Sequence, residues 1–158
     1  RAYGLNMRTL LPLVDVVIGT EEEYYAALAR DPGPVMQGAA VPAEGRAALE
    51  ALIRELADQR DGQTVLIVKR GKAGATIFAP RVEAIDVAGF PVEILNTVGA
   101  GDAFAGGLLY GFTQGWDWRR AVRMGNACGA LVVTRHGCST AMPTLQEALD
   151  FIEQRGGF

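Results

Sequence analysis

With 158 residues, 49% of them hydrophobic, the chain can bury one ordinary core, and its length suits a single domain. A net charge of −3, with the basic residues scattered rather than clustered, argues against a nucleic-acid surface. No apolar run reaches the roughly 18 residues that a membrane span needs, and the start carries no signal-peptide pattern. Cys128 and Cys138 fit no metal-ligand spacing and read as a reduced pair, so the expected compartment is the cytoplasm. The sequence opens on Arg1 and its apolar residues join into a strand almost at once, which is expected of a piece of a longer protein.

In chain order, residues 15–19 read as a buried strand ending at Gly19. Thr20 precedes Glu21, Glu22 and Glu23. A threonine N-cap with a glutamate three residues on is a capping box, and the acids suit the positive end of the helix dipole. That helix is expected to run to about Arg30. Residues 31–42 hold three prolines and two glycines and read as a loop. Over residues 43–59, Leu49, Leu52, Ile53 and Leu56 recur at helical spacing with charges opposite. Residues 63–69 contain the run Val65, Leu66, Ile67 and Val68, which suits a strand covered on both faces. A tight turn at 70–74 leads to strands at 75–79, 82–87 and 92–95. These are spaced too closely for helical crossovers, so part of the section is expected to be antiparallel. Residues 101–115 and 117–134 predict two consecutive, largely buried helices. Thr144 with Glu147 forms a second capping box, opening an amphipathic helix through Leu145, Leu149 and Ile152. The order of elements indicates an α/β domain with a mostly parallel sheet.

Residues 96–102, reading NTVGAGD, follow a predicted strand and open a predicted helix. Gly99, Ala100 and Gly101 leave the backbone uncovered, so successive N–H groups can point at one anion, and the helix dipole adds positive potential there. Asp102 stands at the helix start, within reach of anything bound above that anion hole. A carboxylate so placed can take a proton from an attacking hydroxyl while the amides hold a transferring phosphoryl group. Two common phosphate loops fail: no lysine follows these glycines, as G-x4-G-K-[ST] requires, and Phe104 stands where G-x-G-x-x-G needs its last glycine. The bland alternative is a glycine-rich turn whose Asp102 only caps the helix.

Residues 96–107, NTVGAGDAFAGG, resemble the signature DTxGAGDxFxxG of the PfkB (ribokinase-like) sugar-kinase family. Residues 17–23 (VIGTEEE), 69–74 (KRGKAG) and 121–137 are similar to further blocks of that family, in family order across nearly the whole chain. The stretch corresponds to the C-terminal, ATP-binding half of a family member, with the sugar-binding half and the lid outside it. The resemblance implies a ribokinase-like three-layer α/β/α sandwich. It also implies transfer of the ATP γ-phosphate to a hydroxymethyl group of a sugar or sugar acid. Asp102 would be the general base, with Gly99, Ala100 and Gly101 as the anion hole. Lys69, Gly71 and Gly74 would line the nucleotide phosphates and ribose, Asn126 would sit beside the adenine, and Glu23 would help hold Mg²⁺ through water. For Lys69 the alternative is a solvated strand-end lysine, for Asn126 a helix amide bonded to backbone, and for Glu23 helix capping alone. A homodimer through the absent lid is a further implication.

Two departures from the family pattern stand out. Asn96 replaces the opening aspartate, a position the family links to a monovalent cation such as K⁺; an amide oxygen can still ligate K⁺ but brings no charge. Thr20 replaces the asparagine of the N-x-x-E region. Both, with residues 123–138, resemble the branch that acts on 5-dehydro-2-deoxygluconate in inositol catabolism. Other sugar or nucleoside acceptors, and a non-catalytic nucleotide-binding role, stay open. His136 is expected to be a polar helix-end residue rather than a ligand group, and Trp116 and Trp118 to pack at a helix junction.

Overall fold

A computed structural model describes residues 10, 13–28, 33–36, 40–58 and 64–158. They group into two compact units, one within residues 1–70 and 76–85, the other residues 71–75 and 86–158. The sheet has four strands in the order β1-β2-β3-β4: β1 (Val16–Thr20), β2 (Val65–Lys69), β3 (Gly74–Phe78) and β4 (Ile85–Ala88). The β1–β2 ladder is parallel, in register from Val16 with Val65 to Thr20 with Lys69. Every residue of β3 is buried, and four of the five in β2, as expected of strands covered on both faces. The links from β2 to β3 and from β3 to β4 are too short for a helical crossover, as the sequence spacing predicts.

In the first unit, β1 leads into α1 (Glu21–Leu28), then a single turn α2 (Gly33–Met36) and α3 (Ala43–Asp58) before β2. The core gathers Tyr24, Ala27 and Leu28 of α1, Leu49 and Ile53 of α3, Leu66 and Val68 of β2, and Phe78. The Tyr24 hydroxyl donates to the Val17 carbonyl at 3.0 Å, and burial pushes this phenol far above its ordinary pKa. The α2 turn interrupts what the prolines and glycines suggested was plain loop. The end of α1 beyond Leu28 and the side chains of Leu52 and Leu56 lie outside the described residues.

The second unit is built on α4 (Ala100–Thr113), α5 (Trp118–Val133) and α6 (Leu145–Glu153). Helices α4 and α5 pack through glycine: a Cβ on Gly107 would stand 2.9 Å from the Met124 carbonyl, and one on Gly125 2.9 Å from that of Phe104. Met124, Ala127, Ala130 and Val132 of α5 meet Ala148, Phe151 and Ile152 of α6 and Phe90 in one core. Trp116 packs edge-on against Tyr110 and Phe158, and Trp118 against Phe112, so both tryptophans serve the helix junction. Leu145, read as part of the apolar stripe of α6, is instead exposed.

Two expected strands differ. The one placed at 82–87 begins at Ile85, because Pro80 and Arg81 form a turn in which Arg81 adopts φ 61°. The one placed at 92–95 does not form. The N–H groups of Leu95 and Asn96 both donate to the Val133 carbonyl at the end of α5, at 2.8 and 3.2 Å, and Pro91 has no N–H to give a ladder. Among the described residues no helix is long and apolar enough to cross a membrane.

Candidate functional site

Local chemistry sets the carboxyl ends of β1 and β2. Thr20 closes its capping box: its N–H donates to Glu23 Oε2 at 2.6 Å, and the Glu23 N–H donates to Thr20 Oγ1 at 3.2 Å. Because Thr20 pairs with Lys69 in the ladder, Glu23 and Lys69 are brought to the same end of the parallel pair. That is the end at which open α/β sheets bind ligands. Glu23 is exposed, and among the described residues its Oε1 has no hydrogen-bond partner. Capping therefore occupies one oxygen and leaves the other. Lys69 is half-buried at its strand end.

In the second unit the turn before α4 is set by Gly99, the N-cap, in the left-handed conformation with φ 85°. A Cβ there would stand 3.0 Å from Cys138 Sγ and 3.4 Å from Met142 Cε, so the position accepts glycine for both conformation and space. The Ala100 N–H donates to the Thr97 carbonyl at 3.3 Å, and the Gly99 carbonyl accepts from Ala103 at 2.9 Å. Gly101 and Asp102 are the second and third helical residues, whose N–H groups have no partner one turn earlier. The open amides therefore fall slightly later than the glycine pattern suggested, with Ala100 partly engaged.

Asp102 is exposed, and among the described residues its carboxylate makes no hydrogen bond or ion pair; the helix is capped by Gly99 and not by its side chain. It lines a cavity of about 300 Å³ with Tyr110 from the same helix, Met124 and Cys128 from α5, and Met142 and Thr144 at the entry to α6. The walls are largely apolar, and burial pushes the Cys128 thiol up to about 11. Both cysteines are free.

The other expected site residues fall on neighbouring elements of this unit. Asn126 is buried in α5, and its Nδ2 donates to the carbonyls of Val87 and Ala88 in β4 at 3.0 and 3.2 Å. This is the backbone-bonded arrangement that stood as its alternative. Gly74 faces the same strand: a Cβ on it would lie 2.1 Å from the Val87 carbonyl. Gly71, with φ 54°, is exposed and open. Asn96 uses both ends of its amide, donating from Nδ2 to the Gly137 carbonyl at 2.9 Å and accepting at Oδ1 from the Val98 N–H at 3.1 Å. His136 is exposed in the bend after α5. Sequence reading did not find Gly137, Cys138 and Met142 as neighbours of the turn. They lie some forty residues further along, and no local pattern marks them.

Comparison with known proteins identifies relatives of the whole chain. The sequence model described as pfkB family carbohydrate kinase matches residues 4–145. A 5-dehydro-2-deoxygluconokinase of Clostridium tetani is 32% identical over 155 residues, 97% of this chain and 40% of that protein. The enzyme of the same name from Clostridium perfringens is 37% identical over 93 residues, 59% of this chain and 28% of that protein. The crystal structure of a Vibrio cholerae fructokinase, bound to fructose, ADP and a calcium ion, is similar with a TM-score of 0.71 and 28% identity. It covers 94% of this chain and 44% of that one. The chain thus spans less than half the length of these relatives, and its α/β fold is ribokinase-like. With the family model matched over nearly all its residues, the chain belongs to the pfkB family of carbohydrate kinases.

Proposed function

We propose that this chain is the nucleotide-handling part of an ATP-dependent kinase that phosphorylates a hydroxymethyl group of a sugar or sugar acid. The observation that carries the reading is the start of α4. A left-handed Gly99, open N–H groups at Gly101 and Asp102, and an exposed carboxylate with no internal partner among the described residues stand together, and Asp102 lines the neighbouring cavity. ATP would supply the γ-phosphoryl group. Asp102 takes the proton of the attacking hydroxyl as general base. Gly99, Ala100 and Gly101, joined by the Asp102 N–H, form the anion hole that meets the developing negative charge, reinforced by the α4 dipole.

In this reading Lys69, Gly71 and Gly74 border the nucleotide phosphates and ribose. Asn126 shapes the adenine wall by holding β4 in place. The free Oε1 of Glu23 fits a water-mediated contact to Mg²⁺. Among the described residues no three His, Cys, Asp or Glu side chains converge on a metal-binding group, so Mg²⁺ would keep mostly water and phosphate oxygens as ligands. Asn96 Oδ1 retains a lone pair that could ligate K⁺. The names of the Clostridium relatives support 5-dehydro-2-deoxygluconate as the acceptor, in inositol catabolism. The rest of a full-length kinase would supply most sugar contacts, and a lid through which it could form a homodimer. Two free thiols suit a cytoplasmic enzyme.

The test is Asp102→Asn in the full-length protein. Loss of a positioned general base lowers kcat by roughly 10²- to 10⁴-fold, with the nucleotide KM little changed. A variant that turned over near the wild-type rate would remove Asp102 from the mechanism. A panel of keto-sugar acids, ribose, fructose and nucleosides then identifies the acceptor.

A further inference from the structure

We infer that Asn96 is a positioning residue for the anion turn of α4, holding it in place through both ends of one side-chain amide. The inference rests on the kinase reading above for its functional consequence, but its geometry stands separately. Oδ1 accepts from the Val98 N–H two residues on, at 3.1 Å, which bends the chain into an Asx turn just before Gly99. Nδ2 donates to the Gly137 carbonyl at 2.9 Å, forty-one residues away in the connection between α5 and α6. That second bond seats the connection on the turn: Cys138 and Met142 follow Gly137 and are the groups a Cβ on Gly99 would meet first. Arg135 also ties the same connection, donating to the Ala141 carbonyl at 3.3 Å and to Glu147 at 2.7 Å. The left-handed Gly99, and with it the direction of the following N–H groups, is therefore held between an Asx turn and a clamped loop.

The role depends on Asn96 being an amide. An aspartate has the same shape and keeps the acceptor for Val98, but would turn a carboxylate oxygen towards the Gly137 carbonyl, leaving two acceptors with no proton between them. A serine keeps an acceptor for Val98 and is too short to reach Gly137. Both substitutions release the connection.

Cys138 reports this release directly. It is half-buried against Gly99, whereas Cys128 is buried with its thiol pushed up to about 11, so an aromatic disulfide reagent reads Cys138 with little interference. In the 158-residue chain, Asn96→Asp and Asn96→Ser should each raise the Cys138 modification rate about tenfold, the scale of one or two lost net hydrogen bonds. Titration with inorganic pyrophosphate, followed at the Gly101 and Asp102 amides by NMR, should weaken by a similar factor in Asn96→Ser. Unchanged Cys138 rates in Asn96→Asp would overturn the clamp. Faster Cys138 modification with unaltered pyrophosphate affinity would leave Asn96 purely structural and overturn its positioning role. If the wild-type amides ignore pyrophosphate, the kinase reading loses its anion site, and the Cys138 rates still decide the clamp.

Discussion

Gly71 and Gly74 bracket the turn between β2 and β3, and the two positions differ in what a side chain would meet. Both have positive φ, 54° and 100°. A Cβ on Gly71 meets nothing within 4 Å, whereas one on Gly74 falls 2.1 Å from the Val87 carbonyl and 2.4 Å from the Gly89 nitrogen. Gly71→Ala should therefore cost only the left-handed penalty of about 1 to 2 kcal/mol. Gly74→Ala adds an overlap with backbone that no rotamer relieves, for a total of roughly 3 kcal/mol or more. Urea midpoints of the two variants check this, and equal losses would show that β4 yields to the added methyl. In the sequence the two glycines look alike, because their difference comes from a strand thirteen residues further on. The turn before Asp102 was legible for the opposite reason: Gly99, which shapes it, is a near neighbour in the sequence. The amide of Asn126 could be read as a ligand group or as a backbone tie, and only the position of β4 shows the tie.

At the scale of the element, both capping boxes were legible because they are closed by residues three apart, and each is present with its two reciprocal bonds. The box of α6 makes a prediction about pH. The Glu147 carboxyl is held below its ordinary value of 4.5, first by the Thr144 backbone N–H and then by the Arg135 guanidinium and the Thr144 hydroxyl. A carboxylate depressed in the folded state adds stability above its unfolded pKa and loses it as pH falls through the folded value. Glutamine at this position keeps an acceptor for the box but carries no charge. Glu147→Gln should accordingly melt slightly below wild type at neutral pH, with the gap closing as pH falls below the ordinary carboxylate range. A gap that persists into acid would mean that the charge contributes nothing there. The strand expected at 92–95 shows what elements do not reveal locally. Apolar alternation proposes a strand, but a strand exists only where a neighbour accepts its ladder. Here the Val133 carbonyl takes the Leu95 and Asn96 N–H groups instead.

For the whole molecule, the residues described divide the expected chemistry unequally. The second unit holds Asp102 and the open amides, and the first holds Glu23 and Lys69 at the carboxyl ends of its parallel strands. The cavity beside Asp102 is walled mainly by Tyr110, Met124, Cys128 and Met142, side chains that present few donors to a ring of hydroxyls. Asp102 itself is exposed, while kinases need water excluded before the phosphoryl group moves. The 158-residue chain alone should therefore bind a non-hydrolysable ATP analogue weakly and phosphorylate no sugar. Calorimetry gives the first quantity and a coupled ADP-release assay across the acceptor panel gives the second. Asp102→Asn should leave the weak binding intact or tighten it, because the carboxylate repels the phosphates it faces and serves only the proton transfer. Sugar phosphate formed by this chain would show that it holds an acceptor site of its own. Binding abolished by Asp102→Asn would mean that the carboxylate holds the nucleotide rather than the proton.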